Sequence, residues 1–408
     1  MRDKTIQRPE MGGGLPELVL AVCIAFAILI SVRYPGFVNG TPDIYFDQVN
    51  AMISGRIPYV DLPFEHLPGT LIPLGLAWLL GGFVGESVYW WVFAALMAGC
   101  LWGTERLLGR IGAAIGVLSS RERWLVQVGP LLPIVLFTND PWVVLLSVGA
   151  VDAMVRNANQ RSGVLSLAAI ISKGWPFVLA AVGWLRGDRV RAAAVAVISG
   201  IALGWVGWSP GFRGSQLAQG LHVETLMGSI AGLGAVVFGN GVLLQPGLRA
   251  TLDLPVWVVL LNATPGIVVL LGAFRASPMP FSWLPAMRFT AALTVGVMLS
   301  LPVLSPQFLL WSVPFVVFCG VRERMLSVII CWLNLLVILT WLQVFENTLW
   351  WWSALVLRNL MLVGLGVLLA FGDRGLGADV PLVDRPIRSH APLAQTRTTA
   401  PDVKNSPG

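Results

Sequence analysis

The sequence predicts an all-α polytopic membrane protein, and three observations carry that prediction. Of the 408 residues, 56% are hydrophobic and 12% charged, about half the charge of an ordinary soluble domain. Apolar runs of about 20 residues, enough to cross roughly 30 Å of hydrocarbon, recur along most of the chain. The cations are nearly all arginines and lie in short connections between those runs, the positive-inside pattern. A mean hydropathy of +0.76 excludes a soluble enzyme, a disordered protein and a fibrous repeat. The net charge of +6 forms no basic face interleaved with aromatics, so no nucleic-acid partner is expected.

Taken in order, Arg2, Lys4 and Arg8 precede an apolar run over residues 15–32. That run lacks a small-residue cleavage site, so it reads as a retained helix with the N-terminus in the cytoplasm. Residues 34–66 form the first external loop. Apolar runs follow at 67–84, 88–104, 124–137, 142–155, 163–185 and 192–208. A second long external loop covers 209–254. Further runs lie at 255–274, 289–304, 309–320, 326–342 and 349–371. The total comes to about 11–13 transmembrane or re-entrant helices in one domain, residues 1–371. Residues 372–408, rich in Pro, Arg, Thr and Asp, read as a disordered cytoplasmic tail. Cys23, Cys100, Cys319 and Cys331 all lie in apolar runs, so no external disulfide framework is expected. No repeat of fixed period is present.

Two places break simple alternation. Arg156 and Arg161 lie before residues 163–185, and Arg186, Arg189 and Arg191 lie after them. With both ends on one side, this segment is a re-entrant hairpin, and Ser172-Lys173-Gly174-Trp175-Pro176 supplies the breakers at its tip. The second break is Arg106, Arg110, Arg121 and Arg123, which strict alternation would place outside. A short extra crossing over residues 107–118 would restore the parity. The external side then holds few cations (Arg56, Arg213, Arg249) and many acids, among them Asp43, Asp47, Asp61, Glu65, Asp140, Glu224, Asp253 and Glu346.

The first external loop concentrates the chemistry. Thr41 can cap a helix with Pro42 in its first position and Asp43 in its first turn. Tyr45, Val49, Met52 and Ile53 fall on one face, Asp47, Asn50 and Ser54 on another, and Gly55 ends it. Such a helix lies along the membrane surface. Taken alone, Asp43 need only complement the helix dipole, worth about 0.3–1 kcal/mol, and Asp61 and Glu65 could be solvated loop acids. Four carboxylates beside His66, one of three histidines in a charge-poor chain, argue for more.

The series Asp43, Gly55, Tyr59, Asp61, Phe64, Glu65, His66 and Pro68 resembles the first-loop motif of GT-C glycosyltransferases. The similarity is to glycosyltransferase family 87, which includes polyprenol-phosphate-mannose-dependent mannosyltransferases. Where that family usually has Tyr-Pro-Pro, this chain has His66-Leu67-Pro68. Three further stretches resemble the family in the same order. Asn139-Asp140-Pro141 with Lys173-Gly174-Trp175-Pro176 is similar to its Asp and Lys-Pro-x-Pro region. Gln219-Gly220-Leu221-His222-Val223-Glu224-Thr225 is similar to its second external motif. Ser305-Pro306-Gln307-Phe308-Leu309-Leu310-Trp311 is similar to its Ser-Pro-Gln-Tyr-Leu-x-Trp.

The resemblance implies a GT-C fold and transfer of a sugar, with mannose favoured over arabinose or glucose. The donor would be a polyprenyl phosphate. The acceptor would be a hydroxyl of a glycolipid or cell-envelope glycan on the external face of the plasma membrane. Such a transfer inverts the anomeric carbon and needs a base within about 2.6–3.2 Å of the acceptor hydroxyl. It also needs donors where the phosphate departs. The resemblance gives the base to Asp43. Lys173, His222 and Arg213 are candidates for the donor phosphate, and Tyr59, Asp61, Glu65, His66, Asp140, Glu224 and Gln307 for substrate contacts. Lys173 could instead pair structurally with Asp140 or Asp152, since an ammonium at membrane depth needs a partner. His222 could be an ordinary loop imidazole. Arg358, beside Asn359 in the last helix, needs an acid or a lipid phosphate as partner.

No phosphate-binding Walker run, dinucleotide fingerprint or His-Glu-x-x-His motif is present. The histidines are too far apart for a His-based metal site, and the resemblance implies neither metal nor cofactor. The 18 tryptophans read mainly as interface belts. The sequence fixes no oligomeric state. A transporter or flippase of a lipid-linked sugar is the rival, and it predicts acids and bases at mid-membrane depth. A catalytically idle scaffold is a third possibility, and it requires Asp43 to be dispensable.

Overall fold

A computed structural model describes residues 41–64, 66–117, 119–209, 221–239, 251–252, 254–277, 281–340 and 348–372, with scattered helical positions between 18 and 29. The described part is all-α apart from one small ribbon. Five of its helices are long and apolar enough to cross a membrane. They are α3 (Glu86–Ile115), α9 (Arg189–Trp208), α11 (Val256–Arg275), α12 (Trp283–Ser300) and α15 (Leu349–Phe371). The tail beyond residue 372, residues 210–220 and 240–250 of the second long loop, and Cys23 lie outside the described residues.

Helix α1 (Thr41–Ile53) forms in the first loop and buries Tyr45 and Val49 while leaving Asp47 to solvent. Ile53, placed by sequence on the same face, is exposed, because the helix ends there and the chain turns away at Gly55. A 3₁₀ turn (Pro68–Thr70), helix α2 (Leu71–Ala77) and a π turn (Trp78–Gly82) lead to α3.

Residues 67–84 are apolar enough to count as a crossing, and the contacts overturn that count. Asp43 lies near enough to Glu86, at the start of α3, to feel its charge, and the Phe46 ring meets that of Tyr89 at 5.4 Å. Two residues along α1, the Tyr45 ring meets the ring of His66 at 5.2 Å. The segment therefore leaves and returns to the same turn of α1, and about 18 mostly helical residues cannot both do that and span roughly 30 Å. The extra crossing over residues 107–118 is also corrected. Residues 88–104 and 107–115 belong to the single helix α3, 30 residues long, that ends at the left-handed Gly116. At about 1.5 Å per residue α3 reaches about 45 Å, more than the hydrocarbon needs, so its last turns carry Arg106 and Arg110 clear of it.

Helix α4 (Ser120–Val128) and the short α5 (Leu132–Val135) bring the chain back to α6 (Asp140–Val155), which is buried on almost every side. Helices α3 and α6 run parallel in a fixed register. Gly103 faces Leu145, Gly149 faces Leu107, and Arg110 is 3.1 Å from Asp152. Helix α7 (Asn159–Ser172), a break at Lys173-Gly174, a 3₁₀ turn (Trp175–Phe177) and α8 (Val178–Leu185) follow. The Arg186 guanidinium donates to the side-chain oxygens of Asn157 and Asn159. The two ends of this segment are thus tied together and Lys173 stands at its far tip.

The stretch 209–254, expected as a loop, holds an ordered element. Strand β1 (Leu221–His222) pairs antiparallel with β2 (Thr251–Leu252), and α10 (Leu226–Val237) packs against α15. Burial of α10 follows from α15 itself: the amide of Asn359 lies deep in the bundle and donates to Glu224 O, Thr225 O and Ser229 Oγ, each at 3.0 Å. Helix α12 has 78% of its most apolar stretch buried and is a second central helix, whereas α9, at 17%, lies on the rim. Helices α13 (Leu309–Val316) and α14 (Val321–Leu339) complete the bundle.

The two ends of the bundle differ in charge. At the end away from α1, Asp152 pairs with Arg110 and Arg156, Glu105 with Arg121, and Glu323 with Arg288. Spare guanidinium hydrogens cap helix ends there: Arg123 donates to Val317 O at 3.2 Å and Arg324 to Cys319 O at 2.6 Å. Cations at helix C-termini are favourable both for the dipole and for the orphan carbonyls.

Candidate functional site

Three groups of polar side chains stand at or below the α1 end. The first is at the lip. Asp43 sits in the first turn of α1, half-buried, facing Glu86. Burial, then the hydrogen bond and charge of Glu86, then the charge of Asp47, push its carboxyl up to about 6. A neighbouring carboxylate disfavours the ionised form of Asp43, so its charge adds to the effect of burial. An aromatic wall backs the pair: Tyr45 meets Phe93 at 5.5 Å and Phe46 meets Tyr89 at 5.4 Å. Sequence reasoning missed Glu86. Its signal was a lone acid in a glycine-rich turn between two apolar runs, where little else can bear charge.

The rest of the first loop is built around its own backbone. Tyr59 adopts a positive φ of 70°, is buried, and donates from its hydroxyl to His66 O at 2.6 Å. Burial pushes the Tyr59 phenol up, which keeps it a neutral donor. Asp61 is exposed and accepts the Ile57 N–H at 2.5 Å, closing the turn. Both residues therefore have structural roles in shaping the loop. Glu65 and Arg213 lie outside the described residues.

The second group is deep in the bundle. Asp140, at the start of α6, is fully buried, and its Oδ1 accepts from Lys173 Nζ at 2.7 Å and from Trp311 Nε1 at 2.5 Å. The Lys173 ammonium also lies 4.7 Å from the Phe308 ring centroid and 5.2 Å from that of Trp311. Of the two acids that sequence offered Lys173, the structure selects Asp140, since Asp152 takes Arg110 and Arg156 at the opposite end of α6. Next to this pair, both amide atoms of Asn139, the second oxygen of Asp140 and Trp175 Nε1 are buried with no partner among the described residues. So many unsatisfied polar groups in one place are uncommon and mark a position for water or a ligand.

The segment 302–311, with the 3₁₀ turn Pro306–Phe308 at its centre, links this pair to a third set. Pro302 O accepts the His222 N–H at 3.1 Å, and Pro306 O accepts from Asn334 Nδ2 at 3.5 Å. His222, on β1, and Glu224, in the turn after it, are both buried, and His222 Nδ1 lies 4.0 Å from Glu224 Oε2, beyond a hydrogen bond. Arg358 is fully buried. Its hydrogen bonds go to Asn334 Oδ1 (2.8 Å), Asn359 Oδ1 (2.8 Å) and the backbone oxygen of Glu224 (2.7 Å). It is thus satisfied mainly by neutral acceptors, with the Glu224 charge nearby. Gln307 sits half-buried on the 3₁₀ turn Pro306–Phe308, between the Lys173 and Arg358 groups.

The register of α3 on α6 measures how far apart these groups stand. Residues 103 and 145, 107 and 149, and 110 and 152 are level, a difference of 42 in each case, so Asp140 is level with Ala98. Glu86 lies 12 positions earlier on α3, about 18 Å along the axis. The structure brings together Asp140 with Lys173, and His222 with Glu224 and Arg358. It does not bring Asp43 to Lys173. Among the described residues no group of three or more His, Cys, Asp or Glu side chains could hold a metal ion. Compared with known protein families, curated proteins and solved structures, the chain matches none of them.

Proposed function

We propose that this chain is an integral-membrane glycosyltransferase of GT-C architecture. It transfers a sugar, mannose by resemblance, from a polyprenyl phosphate to a glycolipid or cell-envelope glycan. The observation that carries the proposal is the Asp43 carboxyl, half-buried at the lip and pushed up to about 6. A base of that strength is ionised at neutral pH yet still accepts a proton readily. Asp43 takes the proton of the acceptor hydroxyl, whose oxygen attacks the anomeric carbon from the face opposite the phosphate. The bond from that carbon to the phosphate oxygen breaks, and the polyprenyl phosphate leaves with the electron pair. The end of the bundle bearing Arg110, Arg121, Arg156 and Arg186 supports a cytoplasmic placement of that side and an external placement of Asp43.

Attack and departure occur at one carbon, so base and phosphate site must flank a single sugar ring. Lys173 is already paired with Asp140 at 2.7 Å, and that pair is level with Ala98, about 18 Å below Glu86 along α3. His66, whose ring meets Tyr45 two positions from Asp43, is better placed for the donor phosphate. Lys173 and Asp140 then fasten the hairpin tip to the bundle beneath the site.

A carrier of lipid-linked sugar is the second possibility, favoured by one observation. The Asp140–Lys173 pair and the Arg358 group lie well inside the bundle, where intramembrane charges often mark a path. Purified protein in liposomes with radiolabelled polyprenyl-phosphate-mannose and candidate acceptors separates the two. The transferase gives a new glycosidic product, and Asp43→Asn loses about 10²–10⁴-fold of that rate. Sugar crossing the bilayer without a new bond, unchanged in Asp43→Asn, would establish the carrier instead.

A further inference from the structure

At the arginine-rich end, the limbs of the hairpin and the base of α9 line a small open cleft of about 30 Å³. Arg186 and Arg191 line it, with Asp188 between them. The Arg186 hydrogen bonds go to the neutral side chains of Asn157 and Asn159, with the Asp188 charge nearby. Arg191 pairs with Asp188 at 3.0 Å. Two guanidiniums against one carboxylate leave the lining with one net positive charge.

Two lining serines supply an independent observation. Ser162 and Ser166 are 5% and 2% exposed. Neither hydroxyl makes a hydrogen bond to any described residue, and neither is sealed from the cleft. Buried hydroxyls ordinarily find a partner, so these two are placed for an acceptor that enters from outside. The outer face of α9 continues from the cleft as an uncovered apolar surface, with Val197 60%, Ile201 69% and Trp205 66% exposed.

We propose that this cleft binds the phosphodiester of an anionic phospholipid, with Arg186, Arg191, Ser162 and Ser166 as donors and its acyl chains lying along α9. Guanidinium and hydroxyl donors suit phosphate oxygens, and basic pockets between membrane helices take such headgroups. The test is native mass spectrometry of the full-length protein with equal amounts of phosphatidylglycerol and phosphatidylcholine. Phosphatidylglycerol should be retained at least about fivefold over phosphatidylcholine. Arg191→Gln, at an exposed position, should lower that retention about fivefold, the worth of one arginine at an anionic surface. Ser166→Leu, which fills the cleft without touching a charge, should remove it. Equal retention of the two lipids would overturn the proposal, as would wild-type retention by Arg191→Gln. Displacement of phosphatidylglycerol by millimolar inorganic phosphate would assign the cleft to a free anion instead. Should Ser166→Leu fail to fold, Arg191→Gln alone decides.

Discussion

At the scale of single residues, the Asp43–Glu86 contact sets a pH dependence with a definite sign. Asp43 is raised from 3.8 to about 6, so the folded chain holds its proton where the unfolded chain has lost it. Its contribution to stability is therefore full below 3.8 and is lost as pH rises through about 6. Activity runs the other way, because the base must be ionised. The acidic limb of the rate profile should bend near pH 6, falling about tenfold per pH unit below it. Glu86→Gln should move that bend to lower pH, yet leave it above 3.8, because burial, the largest cause, is untouched. A bend that Glu86→Gln leaves in place would show that the titrating group is not Asp43. The sequence made Asp43 legible through its motif neighbours, but not its partner. Glu86 follows it by 43 positions, and nothing in local spacing indicates that the intervening run folds back.

At the scale of elements, the sequence located most helices and misjudged what some of them do. Apolar length cannot distinguish a crossing from a segment that doubles back, since both bury the same side chains. Residues 67–84 contain Pro73 and four glycines after Pro68, and the outcome is three short helical pieces of different pitch. The start of this segment rests directly on the hairpin tip. A Cβ on Gly69 would stand 2.4 Å from Ser172 Oγ and 2.8 Å from its backbone nitrogen. Gly69→Ala must therefore push the first loop off Ser172, at a cost of about 1–3 kcal/mol for overpacking. Thermal unfolding in detergent should register that loss. Gly75→Ala, where a Cβ meets nothing within 4 Å, should leave the transition unchanged. The same limit explains α10. Composition alone gave no reason to bury a glycine-rich stretch in a loop, whereas Arg358 and Asn359, seeking acceptors from the middle of α15, draw the Glu224–Thr225 backbone in against them.

At the scale of the whole molecule, the fold-back of residues 67–84 and the continuity of α3 restore agreement between helix count and arginine placement. Counting 67–84 as a crossing required another short one near residue 110 to keep the arginines on one side. With α3 as one helix and the preceding segment folded back, a single crossing separates Glu86 from Arg110, and no extra span is needed. The two schemes differ at Val84, which is 63% exposed in the turn before α3. A cysteine placed there should react with a membrane-impermeant maleimide from the same side as one at Asp61 and from the opposite side to one at Arg161. Cys100, Cys319 and Cys331 are buried and should give little background once Cys23 is replaced by serine. Labelling of Val84→Cys from the Arg161 side would mean that residues 67–84 cross after all. Asp43 and Glu86 would then lie on opposite faces of the membrane, and the carboxyl pair on which the proposed base depends could not exist.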